Sequence, residues 1–321
     1  MKFSIVIPVY NVAPYLRECL DSILRQTEPD WECLCVDDGS TDGSGAILDE
    51  FASRDRRIMV RHQQNAGVSA ARNVALDLAK GDVVCYVDAD DWVESDWLAN
   101  YAREFQDFSP DLVMITQKGT GHPRRILTER AELRDWGWNW LTERGAPWRY
   151  AVKRDIALKA RFPVGVSYSE DSLYVMQLVP HLRIAVQSPY SGYNYRFVAG
   201  SGGRSKFASV ERVRYLETLR AVHVQIPEIA PEMFSNAALG EALCWCSRPK
   251  DVVCQREIHA LVVEMHRRGW IRFKLLRPKM RIGWLYLLWG WRWPVRAQDA
   301  FFAVASKVKR TLKCMCIGKG S

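Results

Sequence analysis

Short apolar runs alternate with amphipathic stretches through residues 3–117. The apolar runs cover residues 3–9, 32–36, 58–63, 82–87 and 112–116, and each has the length and the Val, Ile and Cys content of a buried strand. Between them, Leu16, Cys19, Leu20, Ile23 and Leu24 recur at the spacing of one helix face. Ile47, Leu48 and Phe51 mark a second helix, with Ser40, Thr41 and Asp42 as N-cap candidates ahead of it. Residues 70–79 predict a third, and Trp97, Leu98, Tyr101 and Phe105 a fourth. Strands that lack polar alternation and are separated by helices of this length imply an α/β fold. Its sheet is mainly parallel and covered on both faces. Residues 118–147 are polar and tryptophan-rich without a clean period, residues 148–200 mix helix and short strand, and the chain is helical in pattern from about residue 208.

Composition narrows the class. The 321 residues, 48% hydrophobic, suffice for a full core in one large domain or two. No apolar run is long enough for a transmembrane helix, and residues 1–8 enter a strand without the apolar region of a signal peptide. Nine cysteines without a regular framework, several in apolar runs, fit buried thiols in a reduced, cytoplasmic protein. The net charge of +8 is uneven: residues 245–321 hold 17 Lys and Arg against 4 Asp and Glu, which leaves the rest of the chain at −5. Basic character therefore belongs to the C-terminal quarter alone.

Chemistry concentrates where the strands end. The run Val83-Val84-Cys85-Tyr86-Val87 stops in Asp88-Ala89-Asp90-Asp91. Carboxylates so crowded repel one another unless a cation sits among them, and Mg²⁺ or Mn²⁺ shares oxygen ligands with substrate phosphates. Three further segments end strands in the same way: Pro8-Val9-Tyr10-Asn11, Asp37-Asp38-Gly39-Ser40-Thr41-Asp42, and Asn65-Ala66-Gly67-Val68-Ser69-Ala70-Ala71-Arg72-Asn73. In parallel strands all four reach one sheet edge, where open α/β sheets bind ligands. An acceptor for a base N–H, a cation site and basic or backbone donors for a diphosphate are then all present.

Together these segments resemble the nucleotide-binding half of the family 2 glycosyltransferases, the inverting GT-A type. The resemblance implies that Pro8, Tyr10 and Asn11 line the nucleotide pocket and that Asp38 accepts a hydrogen bond from uracil. It further implies that Arg72 approaches the nucleotide or diphosphate. Asp88 and Asp90 form the D-x-D motif toward ribose and metal, and Asp90 and Asp91 hold Mg²⁺ or Mn²⁺. Downstream, Arg161-Phe162-Pro163 leading to Glu170-Asp171 resembles the segment that supplies the family's catalytic base. That role falls to Asp171, with Glu170 as the alternative; both also suit a helix N-terminus. Tyr193-Asn194-Tyr195-Arg196 resembles a segment that follows the base, and a loop over the diphosphate or plain strand core are its two readings. On this basis residues 1–117 form the nucleotide-sugar half, 118–207 the acceptor half with the base, and 208–321 a helical basic and aromatic region. The implied activity is metal-assisted, inverting transfer from a UDP-sugar to a glycan or lipid-linked acceptor in bacterial surface polysaccharide synthesis.

Other features are weighed against plainer readings. Trp136, Trp138, Trp140 and Trp148 could stack on sugar, but core packing is favoured. Cys244, Cys246, Cys254 and His259 fit no usual zinc spacing. Residues 272–313 combine Trp284, Trp289, Trp291 and Trp293 with flanking Arg and Lys, the composition of a segment lying on an anionic membrane surface. The expected location is the inner face of the cell membrane, with no nucleic-acid partner, since no recognition module accompanies the charge. A nucleotidyltransferase is disfavoured because residues 8–13 lack a Gly- and basic-rich triphosphate loop. A silent scaffold is disfavoured by the intact carboxylates.

Overall fold

The computed structural model describes residues 1–116, 122–133, 136, 146–166 and 170–197, and five positions between 260 and 267. The chain divides into two compact units, Met1–Ile229 and Ala230–Ser321. Every element named below lies in the first.

Strand β1 (Phe3–Val9) is flanked by β2 (Trp31–Asp37) and β4 (Val83–Tyr86), with β3 (Ile58–His62) outside β2. Beyond β4 follow β8 (Tyr150–Lys153), β6 (Leu112–Met114), β9 (Ala185–Gln187) and β7 (Arg125–Leu127) at the far edge. Only β7 and β8 run against the other six described strands of this sheet. The sheet is thus mainly parallel, as the apolar runs imply, and β8 intervenes between the parallel-running β4 and β6. A second, two-stranded sheet pairs β5 (Trp92–Val93) with β10 (Tyr193–Asn194).

Both faces of β1 are buried, but against different partners. Ile5, Ile7 and Val9 pack with Leu16, Leu20 and Ile23 of α1 (Ala13–Leu24), Leu48 and Phe51 of α2 (Ser44–Arg54), and Trp97 and Tyr101 of α4 (Trp97–Phe108). Val6 faces the other layer, with Ala71 and Ala75 of α3 (Val68–Leu78) and Tyr174 of α6 (Glu170–Leu178). A short α5 (Arg154–Ala157) follows β8 directly. Alternation at period two between two apolar layers explains why the strand carries no polar stripe. Cys19, Cys33, Cys35 and Cys85 are free and buried, as small hydrophobes.

The expected N-cap of α2 shifts. Helix α2 starts behind Gly43, whose φ of +93° breaks the chain direction, so none of Ser40, Thr41 and Asp42 occupies the cap position. Asp42 caps from one residue further out. Its Oδ1 accepts from Ser44 N at 3.0 Å, and its Oδ2 accepts from Ala13 N at 2.9 Å in the first turn of α1. One carboxylate thereby serves two helix N-termini, which favour negative charge.

Candidate active site

Register brings the strand ends together. Val9 pairs with Asp37, Asp37 with His62, and Val6 with Tyr86, so the loops after β1, β2, β3 and β4 emerge at one edge. They enclose a cleft of about 500 Å³ lined by Pro8, Tyr10, Asp38, Arg72, Asp88 and Asp90, among others. Asn65 and Gly67 also line it, from the segment that leads into α3. Six of the residues named from sequence therefore share one cavity, although they come from four separate stretches of chain.

Asn11 does not line the cleft. It ties two of the loops instead: its Oδ1 accepts from Thr41 N at 2.8 Å, and its own N–H donates to Ser40 Oγ at 3.1 Å. Its φ of +52° is tolerated by asparagine better than by most residues. Asp38 is both lining and brace. Its carboxylate accepts from Gln63 Nε2 at 2.7 Å, Ala66 N at 2.9 Å and Gly67 N at 2.8 Å, and so shapes the turn into α3. Gly39 makes this approach feasible. It holds φ at +77°, and a Cβ there would stand 3.0 Å from Asn65 N. Gly39→Ala is expected to cost about 1–3 kcal/mol and to weaken nucleotide binding, as chemical denaturation and titration with UDP would measure. Wild-type values for both would disprove the need for glycine.

Arg72 is the hub. It is buried, and its guanidinium donates to Asp88 Oδ1 at 3.0 Å and to Glu170 Oε1 at 3.2 Å. Burial pulls its pKa down, but the charges of Asp88, Glu170 and Asp171 outweigh that and the net shift is upward. Its Nε is buried with no protein partner while the side chain borders the cleft. Glu170 and Asp171 form the first turn of α6, and Asp171 Oδ1 accepts from Ser172 N at 2.8 Å. The helix-start reading holds for both residues. Burial, then Glu170, raises the Asp171 carboxyl to about 7, against the opposing pull of Arg72.

Two contacts absent from the sequence reading fix α6 and the segment ahead of it. Tyr174, one turn after Asp171, meets Tyr86 of β4 hydroxyl to hydroxyl at 2.7 Å. Asn73 clasps the backbone of Phe162, donating to its C=O at 2.8 Å and accepting from its N–H at 2.9 Å. The neighbouring Arg72 and Asn73 of α3 therefore hold Glu170 and the Phe162 backbone ahead of it. Asn73 was visible as part of a motif, but its partner lies 89 residues away and nothing local points to it.

The Asp88–Asp91 turn divides its carboxylates. Asp88 and Asp90 line the cleft, whereas Asp91 is 1% exposed and does not. Burial and then repulsion from Asp88 raise both Asp90 and Asp91, the latter to about 8. Of the pair expected at the metal, only Asp90 faces the cavity. Asp88 and Asp90 present hard oxygen ligands short of the third protein ligand that a self-sufficient cage needs. Among the described residues no group of three or more ligating side chains could hold a metal unaided. That donor set fits Mg²⁺ or Mn²⁺ shared with phosphate oxygens.

Trp136 and Trp148 are core residues, as favoured above: Trp136 Nε1 donates to Gln187 Oε1 at 3.2 Å, and Trp148 stacks on Tyr193. Trp138, Trp140, the Cys244–His259 cluster and residues 272–313 lie outside the described residues. Among those described, no helix is long and apolar enough to cross a membrane.

Comparison with known proteins agrees with this geometry. The family model described as Glycosyl transferase family 2 matches residues 4–158. The chain belongs to glycosyltransferase family 2. One curated relative, the uncharacterized glycosyltransferase EpsJ of Bacillus subtilis, is 30% identical over 257 residues, covering 75% of this chain and 66% of EpsJ. The chain spans between 16% and 46% of the length of three other curated relatives. Among solved structures, S. aureus TarS 1-349 in complex with UDP-GlcNAc superposes with a TM-score of 0.72 at 20% identity, over 97% of this chain and 92% of that one. The mannosyltransferase PcManGT from Pyrobaculum calidifontis, in complex with GDP-Man and Mn²⁺, gives 0.51 at 20% identity, over 96% and 86%. The family 2 member described here accordingly has the GT-A fold.

Proposed function

We propose that this chain transfers a sugar from a UDP-sugar to a hydroxyl of a surface glycan or lipid-linked acceptor, with inversion and with Mg²⁺ or Mn²⁺. One observation carries the reading: Arg72 touches both a carboxylate of the donor cleft, Asp88, and the carboxylate beside the expected base, Glu170. A single buried cation thus joins the place where a diphosphate would sit to the place where an acceptor would be deprotonated.

In the mechanism, Pro8, Tyr10 and Asp38 hold the nucleotide, while the Arg72 guanidinium lies beside the diphosphate. A cation held by Asp88 and Asp90 would offset charge growing on the leaving diphosphate. The acceptor oxygen attacks the anomeric carbon as the bond to the diphosphate breaks, and the bonding pair leaves with UDP. The hydroxyl proton passes to Asp171, whose pKa of about 7 suits a base at neutral pH. Glu170 keeps Arg72 aligned. One base without a protein nucleophile gives inversion, as in inverting glycosidases. TarS, a relative 28% identical over 236 residues, is named as a poly(ribitol-phosphate) beta-N-acetylglucosaminyltransferase. A polyol-phosphate polymer is therefore among the acceptors to test.

The test is nucleotide release from UDP-GlcNAc, UDP-glucose and GDP-mannose, with and without Mn²⁺, and the product anomer read by NMR. Metal-dependent turnover of a UDP-sugar to an inverted product is expected. Turnover of none of them by a folded, nucleotide-binding protein, across polymer and lipid-linked acceptors, would remove the proposal.

A further inference from the structure

Asp91 and Tyr193 form a buried pair that the transfer chemistry does not use. Asp91 sits at the end of the turn that carries Asp88 and Asp90 into the cleft, closed by Asp91 N–H donating to Asp88 C=O at 3.0 Å. The Tyr193 hydroxyl donates to Asp91 Oδ2 at 2.7 Å and accepts from Asp88 N at 3.0 Å. It therefore bonds both ends of the turn at once. Arg196 completes the hold: its N–H donates to Asp91 Oδ1 at 2.7 Å, and its Nε donates to Asp90 C=O at 2.8 Å. The Tyr193 ring is fixed in turn, stacked on Trp148 with centroids 4.4 Å apart and planes 14° from parallel. Pairing of β10 with β5 sets Tyr193 opposite Val93.

Three carboxylates within four residues repel one another, and a turn carrying them opens unless something opposes that. Here the opposition comes from a strand about 100 residues downstream. A hydroxyl bond to a carboxylate in a water-poor site is strong and directional. We propose that Tyr193, acting through Asp91, is a positioning residue for the cation site, fixing the turn so that Asp88 and Asp90 converge in the cleft. The proposal rests on reading those two carboxylates as the cation ligands. Tyr193 itself touches neither substrate nor cation. Its action resembles that of the outer partners that orient metal ligands generally.

The test uses the full chain and Tyr193→Phe, which keeps the ring and its stack on Trp148 and removes only the hydroxyl. Mn²⁺ binding is followed by electron paramagnetic resonance in the presence of UDP. UDP binding without metal is measured by calorimetry. The variant is expected to weaken Mn²⁺ by about tenfold or more, to leave metal-free UDP affinity unchanged, and to regain most of its kcat at saturating Mn²⁺ and donor. A purely structural role would not separate metal affinity from metal-free nucleotide affinity. Glu32→Gln, a buried change at the opposite end of β2, is the destabilised control and is expected to leave Mn²⁺ affinity alone. Equal Mn²⁺ affinity in Tyr193→Phe and the parent overturns the proposal while the cation reading stands. No Mn²⁺ binding by the parent with UDP overturns both. Should Tyr193→Phe fail to fold, Asp91→Asn decides: weaker Mn²⁺ supports the clamp, and unchanged Mn²⁺ refutes it.

Discussion

Replacing Asp171 by asparagine is expected to lower kcat by about 10²–10⁴, the usual worth of a general base, while UDP-sugar still binds. In the parent enzyme kcat/KM should rise about tenfold per pH unit below pH 7 and level off above it, because only the ionised carboxylate accepts the proton and burial raises Asp171 to about 7. Asp171→Asn should abolish that limb. Stability separates this outcome from damage to the fold. The folded chain keeps the Asp171 proton up to about 7, whereas the unfolded chain releases it near the ordinary aspartate value of 3.8. Between those values the folded state binds more protons, so ionisation of Asp171 lowers stability as pH rises through that window. Asparagine removes this penalty, so the variant should melt no lower than the parent at pH 8. A variant that retains parental kcat would move the base to Glu170. Glu170→Gln is expected to act differently, through loss of the contact to Arg72.

Arg72→Met carries the second large effect. Arg72 is buried between Asp88 and Glu170, and both keep only part of their surface in solvent. Methionine fills comparable space but leaves these carboxylates and Asp171 facing one another without a cation. Breaking a buried ion pair from one side costs about 3–5 kcal/mol, and the partial exposure of the carboxylates places this case near about 3 kcal/mol. The deficit should shrink as pH falls, since Asp171, raised to about 7 by burial and Glu170, takes up its proton and ceases to repel its neighbours. Urea unfolding at pH 7.5 and pH 5.5 measures both statements. A loss below about 1 kcal/mol at pH 7.5 would show that Arg72 is no electrostatic hub. Nucleotide binding should fall as well, because Arg72 lines the cleft.

Much of the site was legible because its residues follow strands directly. Pro8, Tyr10, Asp38, Arg72, Asp88 and Asp90 lie at or just past strand ends or in a helix start, and a parallel sheet takes such positions to one edge whatever the side-chain details. The buried strands and helix faces were likewise written in periods of two and 3.6 residues, which depend only on local geometry. The helix stripe Leu16, Cys19, Leu20 and Ile23 is buried as its spacing predicts.

Direction within a turn and partnership across the fold were decided elsewhere. Asp88, Asp90 and Asp91 are alike as sequence, yet two enter the cleft and one is buried, because Tyr193 of β10 and Arg196, just past that strand, claim Asp91. Asn11, read as a pocket residue, ties two loops because the Ser40 hydroxyl and the Thr41 backbone N–H lie within its reach. Asn73 and Tyr174 gained their roles from Phe162 and Tyr86, 89 and 88 residues away. Sequence by itself determined which residues could bind a nucleotide, a cation and a proton, since chemistry and strand-end position are local properties. Only the tertiary structure decided which of them face the cleft and which hold the others in place, since hydrogen-bond partners are chosen by proximity in space.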